Sequence, residues 1–135
     1  MKDIKTISQK LIIWGSLLCL SACGSDSAGL TITADDPTLS IGTCHGFTVT
    51  RPSPATENLL VQPEIESGQG ILYANSSCTQ LALFNIQMSE GTDSVKFYYK
   101  PTSSGNATLK ATTLTLVNEM PAAVDLDGSI STQVQ

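Results

Sequence analysis

Few side chains in this chain could do chemistry: four cysteines (Cys19, Cys23, Cys44 and Cys78), one histidine, His45, and one arginine, Arg51. Cys44 and His45 are adjacent. A nucleophilic thiol needs a base within reach, yet alternation along a strand points neighbouring side chains to opposite faces. The carboxylates are scattered, without a paired arrangement suited to acid–base work, and no enzyme is expected. Asp125-Leu126-Asp127-Gly128 matches the opening of a calcium loop but lacks the later bidentate glutamate, so it reads as a turn. Asp35, Asp36, Asp125 and Asp127 are the candidates for calcium held between loops. Solvated turn acids are the favoured reading, and no metal or other cofactor is expected.

The position of the cysteines depends on what precedes them. Met1 to Lys10 carries three lysines, and Leu11 to Leu20 is a ten-residue apolar run followed by the small residues Ser21 and Ala22. That order is the pattern of a secretory signal peptide. A spanning helix takes about 20 apolar residues, so the run is too short to stay in a membrane as an anchor.

Leu20-Ser21-Ala22-Cys23 resembles the lipobox of bacterial lipoproteins. The resemblance implies that Leu20, Ser21 and Ala22 are recognised, that the chain is cut before Cys23, and that the Cys23 thiol carries diacylglycerol. Further acylation of the freed amine would complete a stable anchor, since one chain alone holds weakly. In that family a residue other than Asp after the cysteine, here Gly24, goes with export to the outer membrane. The expected site is therefore the cell envelope, with the domain facing either the periplasm or the cell surface. Gly24 to Gly29 is small and polar, a tether of at most about 20 Å at roughly 3.3 Å per residue.

Removing residues 1–22 leaves 113, enough for one domain. It also removes Lys2, Lys5, Lys10 and Asp3, leaving four basic and eleven acidic residues and a net charge of −7. That sign excludes nucleic acid, whose phosphates need clustered Lys and Arg, and it opposes electrostatic docking on anionic lipid.

Cys19 leaves with the leader and Cys23 goes to lipid, so Cys44 and Cys78 remain as an even pair in an oxidising compartment. A disulfide is the expected outcome. A zinc site on the same pair would need two more Cys or His ligands, and His45 alone is at hand.

The elements that must hold these residues read as strands. Leu30, Ile32 and Ala34 alternate with threonines until Asp35-Asp36-Pro37 interrupts the run, and Leu39 and Ile41 resume it. Phe47 and Val49 mark a second strand, Leu59-Leu60-Val61 a third ending at Pro63, and Ile71-Leu72-Tyr73 a short fourth. Glu64 to Gly70 reads as a polar connection. Leu81 and Leu83 share one parity while Phe84, Ile86 and Met88 share the other, which predicts a β-bulge near Leu83 and Phe84. Val95, Phe97 and Tyr99 form one face of a strand, with Lys96, Tyr98 and Lys100 on the other as a solvated face or contact patch. Ala107, Leu109 and Ala111 line another inner face, Leu114 and Leu116 change parity, and Ile130, Thr132 and Val134 close the chain. About eight short strands predict an all-β, two-sheet antiparallel sandwich. Asn75-Ser76-Ser77 and Asn106-Ala107-Thr108 match glycosylation sequons by spacing alone.

Ile71-Leu72-Tyr73-Ala74-Asn75-Ser76-Ser77-Cys78-Thr79, Gly91 to Lys100 and Gly105 to Leu109 together resemble bacterial Ig-like modules. The resemblance spans about Leu30 to Gln135 and is strongest from Ile71 to Thr112. It implies an Ig-like domain over residues 30–135, with Cys44 and Cys78 bridging an early strand to the Tyr-x-x-x-x-Cys segment. The antibody-type core tryptophan is missing, since the only tryptophan is Trp14. Such modules serve envelope and surface proteins, so the expected function is a lipid-anchored, non-catalytic binding or structural module of the adhesion type. The alternatives are a periplasmic accessory subunit of an envelope complex and a carbohydrate-binding module. The second would draw on Tyr73, Tyr98 and Tyr99. The expected partners are the membrane, through the lipid, and a protein or glycan.

Overall fold

Alternation between apolar and polar residues governs the architecture: each strand sends one parity into a shared core and the other to solvent. In the computed structural model of the chain, residues 29–135 are described, and the leader, Cys23 and the tether to Ala28 lie outside them. Eight strands follow: β1 (Thr31–Ala34), β2 (His45–Thr50), β3 (Leu59–Ser67), β4 (Gly70–Tyr73), β5 (Ile86–Met88), β6 (Ser94–Pro101), β7 (Gly105–Val117) and β8 (Met120–Val134).

Two four-stranded sheets form, ordered β1-β2-β6-β4 and β5-β3-β7-β8, and every ladder within them is antiparallel. Leaving out β5, the order places A-B-E-D against C-F-G, the arrangement of an Ig-like sandwich. β5 is an added edge beside β3. Phe47 and Phe97 are register partners on β2 and β6, stacked at 5.4 Å, with Tyr99 edge-on to Phe47 at 6.4 Å. These rings fill the core with Leu39, Val49, Val61, Met88 and Leu109. A disulfide joins Cys44, just before β2, to Cys78, their Cα atoms 6.0 Å apart.

The first strand breaks where Asp35-Asp36-Pro37 predicts, and the break moves the chain from one sheet to the other. β1 pairs with β2, whereas Leu39 forms a parallel bridge to Val134 at the free edge of β8. Leu30 N–H donates to the Asp127 carbonyl, Leu39 N–H to Gln133, and Gln135 N–H to Leu39. The chain from Leu30 to Leu39 thus covers the end of β8 that would otherwise be an open edge.

Four strand expectations are corrected. β3 does not stop at Pro63 but runs to Ser67, because β5 ends opposite Val61 and leaves β3 unpaired on that side, where proline is tolerated. The segment before β5 is not a bulged strand: Phe84 has φ 59°, and Asn85 replaces ladder bonds. Its side chain accepts from Leu83 N–H at 2.9 Å and donates to the Leu81 carbonyl at 2.9 Å.

The third correction concerns Asp125 to Gly128, which lies inside β8 and not in a turn. A side chain on Gly128 would strike the Leu30 carbonyl, so glycine is there to admit the β1 backbone. Finally, β7 keeps its parity through Leu114 and Leu116. Ala107, Leu109, Ala111 and Thr113 all point inward and are buried, so the two leucines point out.

Candidate functional site

Polar side chains at the ends of the sheets are spoken for by local structure. His45 is buried: Ser40 N–H donates to Nε2 at 2.9 Å, which places the ring proton on Nδ1, 2.8 Å from Asp36 Oδ2. The ring pins the segment that crosses between sheets. Asn75 fastens the loop holding Cys78, whose φ is 52°, by accepting from Thr79 and Gln80 N–H and donating to Ser77 and Thr79 hydroxyls. That loop therefore uses the first glycosylation-like asparagine structurally.

The four candidate calcium acids are far apart in role. Asp35 pairs with Lys96 at 2.6 Å, and that hydrogen bond, reinforced by the charge, holds the Lys96 pKa above its ordinary value. Asp36 faces His45 and Asp127 lies 3.9 Å from Lys110. Asp125 takes two bonds from the Arg51 guanidinium, at 3.1 and 3.3 Å, and one from the Thr113 hydroxyl at 2.9 Å. Arg51 also donates to the Ser53 and Pro54 carbonyls, tying the β2–β3 loop to β8. Among the described residues, no group of three His, Cys, Asp or Glu is placed to hold a metal ion.

The tyrosines split. Tyr99 is in the core, donating its hydroxyl to the Gln69 carbonyl at 3.0 Å, and burial pushes its pKa up. Tyr73 and Tyr98 are register partners on the outer face of the first sheet, with Lys96 5.9 Å over the Tyr98 ring.

Unassigned surface concentrates on the outer face of the second sheet, near the β7–β8 turn. Leu60 alternates out of phase with inward Leu59 and Val61, and it pairs with outward Leu114. It is only 3 % exposed, yet it is not part of the core cluster. It lines a cleft of about 400 Å³ with Asn58, Phe84, Gln87, Leu116, Glu119 and Pro121. Beside it Leu83 and Phe84 are 67 % and 59 % exposed. A bulky residue at positive φ costs about 1 kcal/mol or more, and here the strain puts a phenyl ring into solvent. A second hollow of about 790 Å³, bordered by Ala34, Pro37, Asn106, Thr108, Ser131 and Gln133, is wide and carries no such ring.

Sequence reasoning did not assemble this cleft. Its signal is that Leu60, Leu114 and Leu116 are apolar at the parity opposite to the inward residues of their strands, which puts apolar residues on both faces of one sheet.

No family model matches the chain, and no curated protein matches it in sequence. Among solved structures it is similar to a conjugative transposon lipoprotein from Bacteroides eggerthii, with 8 % identity and a TM-score of 0.50 over 76 % of this chain and 95 % of that one. A lipoprotein from Bacteroides thetaiotaomicron gives 16 % identity and a TM-score of 0.47 over 77 % and 78 %. The CARDB domain of the PF1109 protein from Pyrococcus furiosus gives 11 % and 0.40 over 79 % and 86 %. The first of these shows a shared fold.

Proposed function

We propose that the protein is a lipid-anchored component of a bacterial outer membrane whose Ig-like domain binds a protein partner and performs no catalysis. The observation that carries the binding reading is the cleft over Leu60, flanked by exposed Leu83 and Phe84. Apolar groups kept in water cost stability, and contiguous ones mark contact surfaces. The anchoring reading is supported by the leader and Leu20-Ser21-Ala22-Cys23, and by a neighbour in fold that is itself named a lipoprotein.

Two experiments test these readings separately. Cys23→Ala is expected to move the protein from the membrane fraction to the soluble one; unchanged fractionation would remove the anchor. For the cleft, a photo-crosslinking residue at Leu83 in intact cells is expected to give one discrete protein adduct, absent when the probe sits at Thr48 on the opposite outer face. Equal labelling from both positions, or none, would overturn the docking reading. Protease shaving of whole cells then separates a surface-exposed adhesin from a periplasmic accessory subunit.

A carbohydrate-binding reading has one specific observation in its favour, the side-by-side Tyr73 and Tyr98. Silence on a glycan array would retire it.

A further inference from the structure

The β7–β8 hairpin extends past the rest of the second sheet. β3 and β5 end opposite Thr115, and beyond that level only β7 and β8 continue to the turn at Asn118 and Glu119. Both turn residues have positive φ, 53° and 65°, the requirement of a two-residue hairpin matched to strand twist. At this tip Val117 is 59 % exposed and Met120 68 %. From Ala111 to Val124 the chain carries one charge, Glu119.

The described chain begins beside the middle of β8 and heads away from that tip. Gly29 lies against the Asp127 carbonyl, and from Leu30 to Leu39 the chain runs parallel to β8 toward Val134, away from the tip. β8 is bulged twice here, so Asp127 and Met120 lie opposite Thr112 and Val117, five β7 steps apart, about 17 Å at roughly 3.3 Å each. Cys23 lies six residues before Gly29, a reach of at most about 20 Å. Lipid on Cys23 and the hairpin tip can therefore meet one membrane surface.

We infer that the hairpin tip is a second membrane contact, with Val117 and Met120 seated in the interface of the bilayer that holds the Cys23 lipid. This rests on the anchoring reading above. The tip's apolar area is too small to hold a free protein on a bilayer, but a tether makes the contact intramolecular, so a weak insertion suffices to fix orientation. A protein with a net charge of −7 after cleavage gains little from anionic headgroups, and a tip whose one charge is Glu119, between exposed Val117 and Met120, is the contact that remains open to it. The cleft at Leu60 and Phe84 would then face sideways, just above the lipid.

The mature chain has no tryptophan, so one can be placed as a reporter. Full-length Met120→Trp, processed in cells, is purified, its lipid verified by mass, and reconstituted in phosphatidylcholine vesicles; Ser104→Trp in the β6–β7 turn at the far end is the control. The expected result is blue-shifted emission quenched by brominated lipid for Met120→Trp alone. A lipidated protein whose Met120→Trp emission matches the control would overturn the inference while leaving the anchor intact. Blue-shifted emission that brominated lipid does not quench would overturn it in favour of a protein surface covering the tip. Absence of lipid in the mass spectrum would overturn the anchoring reading and, with it, the inference.

Discussion

The two ends of the sandwich are built by opposite rules. At the end holding His45 and Cys78, polar side chains are closed on one another by a disulfide, a buried histidine and an asparagine-centred loop. At the hairpin end, Val117, Met120 and Val124 stand in solvent, and on the same sheet's outer face Leu83 and Phe84 do likewise. Cross-links secure the first end, where Ile41, Ile71 and Leu81 are exposed by less than half, whereas at the second the apolar side chains are exposed by 59 % or more. On the docking reading proposed above, stability and interaction sit in different regions, so they are separable by mutation.

The largest effect is expected at the cross-linked end. A disulfide closing a loop of this length stabilises by about 4 kcal/mol on the chain-entropy model, a large share of a small domain's total. Paired Cys44→Ser and Cys78→Ser should lower the unfolding free energy by that order in urea titration. A loss under about 1 kcal/mol would mean the loop is ordered by Asn75 alone.

Next comes the clasp between the sheets. Arg51→Ala leaves Asp125 half-buried without its partner and frees two carbonyls of the β2–β3 loop, a cost of about 2–3 kcal/mol. Thermal unfolding should show it. If Arg51→Met proves as stable as wild type, the pair contributes specificity and not stability.

How much of this was legible beforehand follows from where each signal arises. Alternation at Phe47, Val49, Phe97 and Tyr99 reports one buried face, so the core and the sandwich could be read directly. Leu114 and Leu116 break the alternation only if every apolar residue is assumed to face inward; they face out, and the broken pattern was the mark of the cleft. Asp125 to Gly128 looks like a turn because Asp and Gly favour turns. Its true causes are distant: Arg51 lies 74 residues from Asp125 along the chain, and Leu30 presses on Gly128. Spacing within a segment carries no trace of such partners.

At the apolar end the same kind of substitution should act in reverse. Phe84→Gly relieves a bulky side chain from the left-handed region, so stability should rise or hold within about 1 kcal/mol while adduct formation from Leu83 falls. Urea titration and crosslinking on the same variant decide it. A destabilised Phe84→Gly would make the ring a structural cover for Leu60, and the division between the two ends would fail there.

The smallest effect concerns pH. Tyr99 is buried, and desolvation raises its pKa above the ordinary value of 10.0. A raised folded-state value means the native protein holds this proton more tightly than the unfolded chain does. The contribution is fully present below pH 10 and is lost as pH climbs through the folded-state value. Tyr99→Phe cannot ionise, so its stability should fall less steeply above pH 10, after an offset of about 1 kcal/mol for the bond to Gln69. Identical alkaline slopes for the two proteins would show that other groups govern that range. They would also remove Tyr99 from the features that make the core differ electrostatically from the open hairpin end.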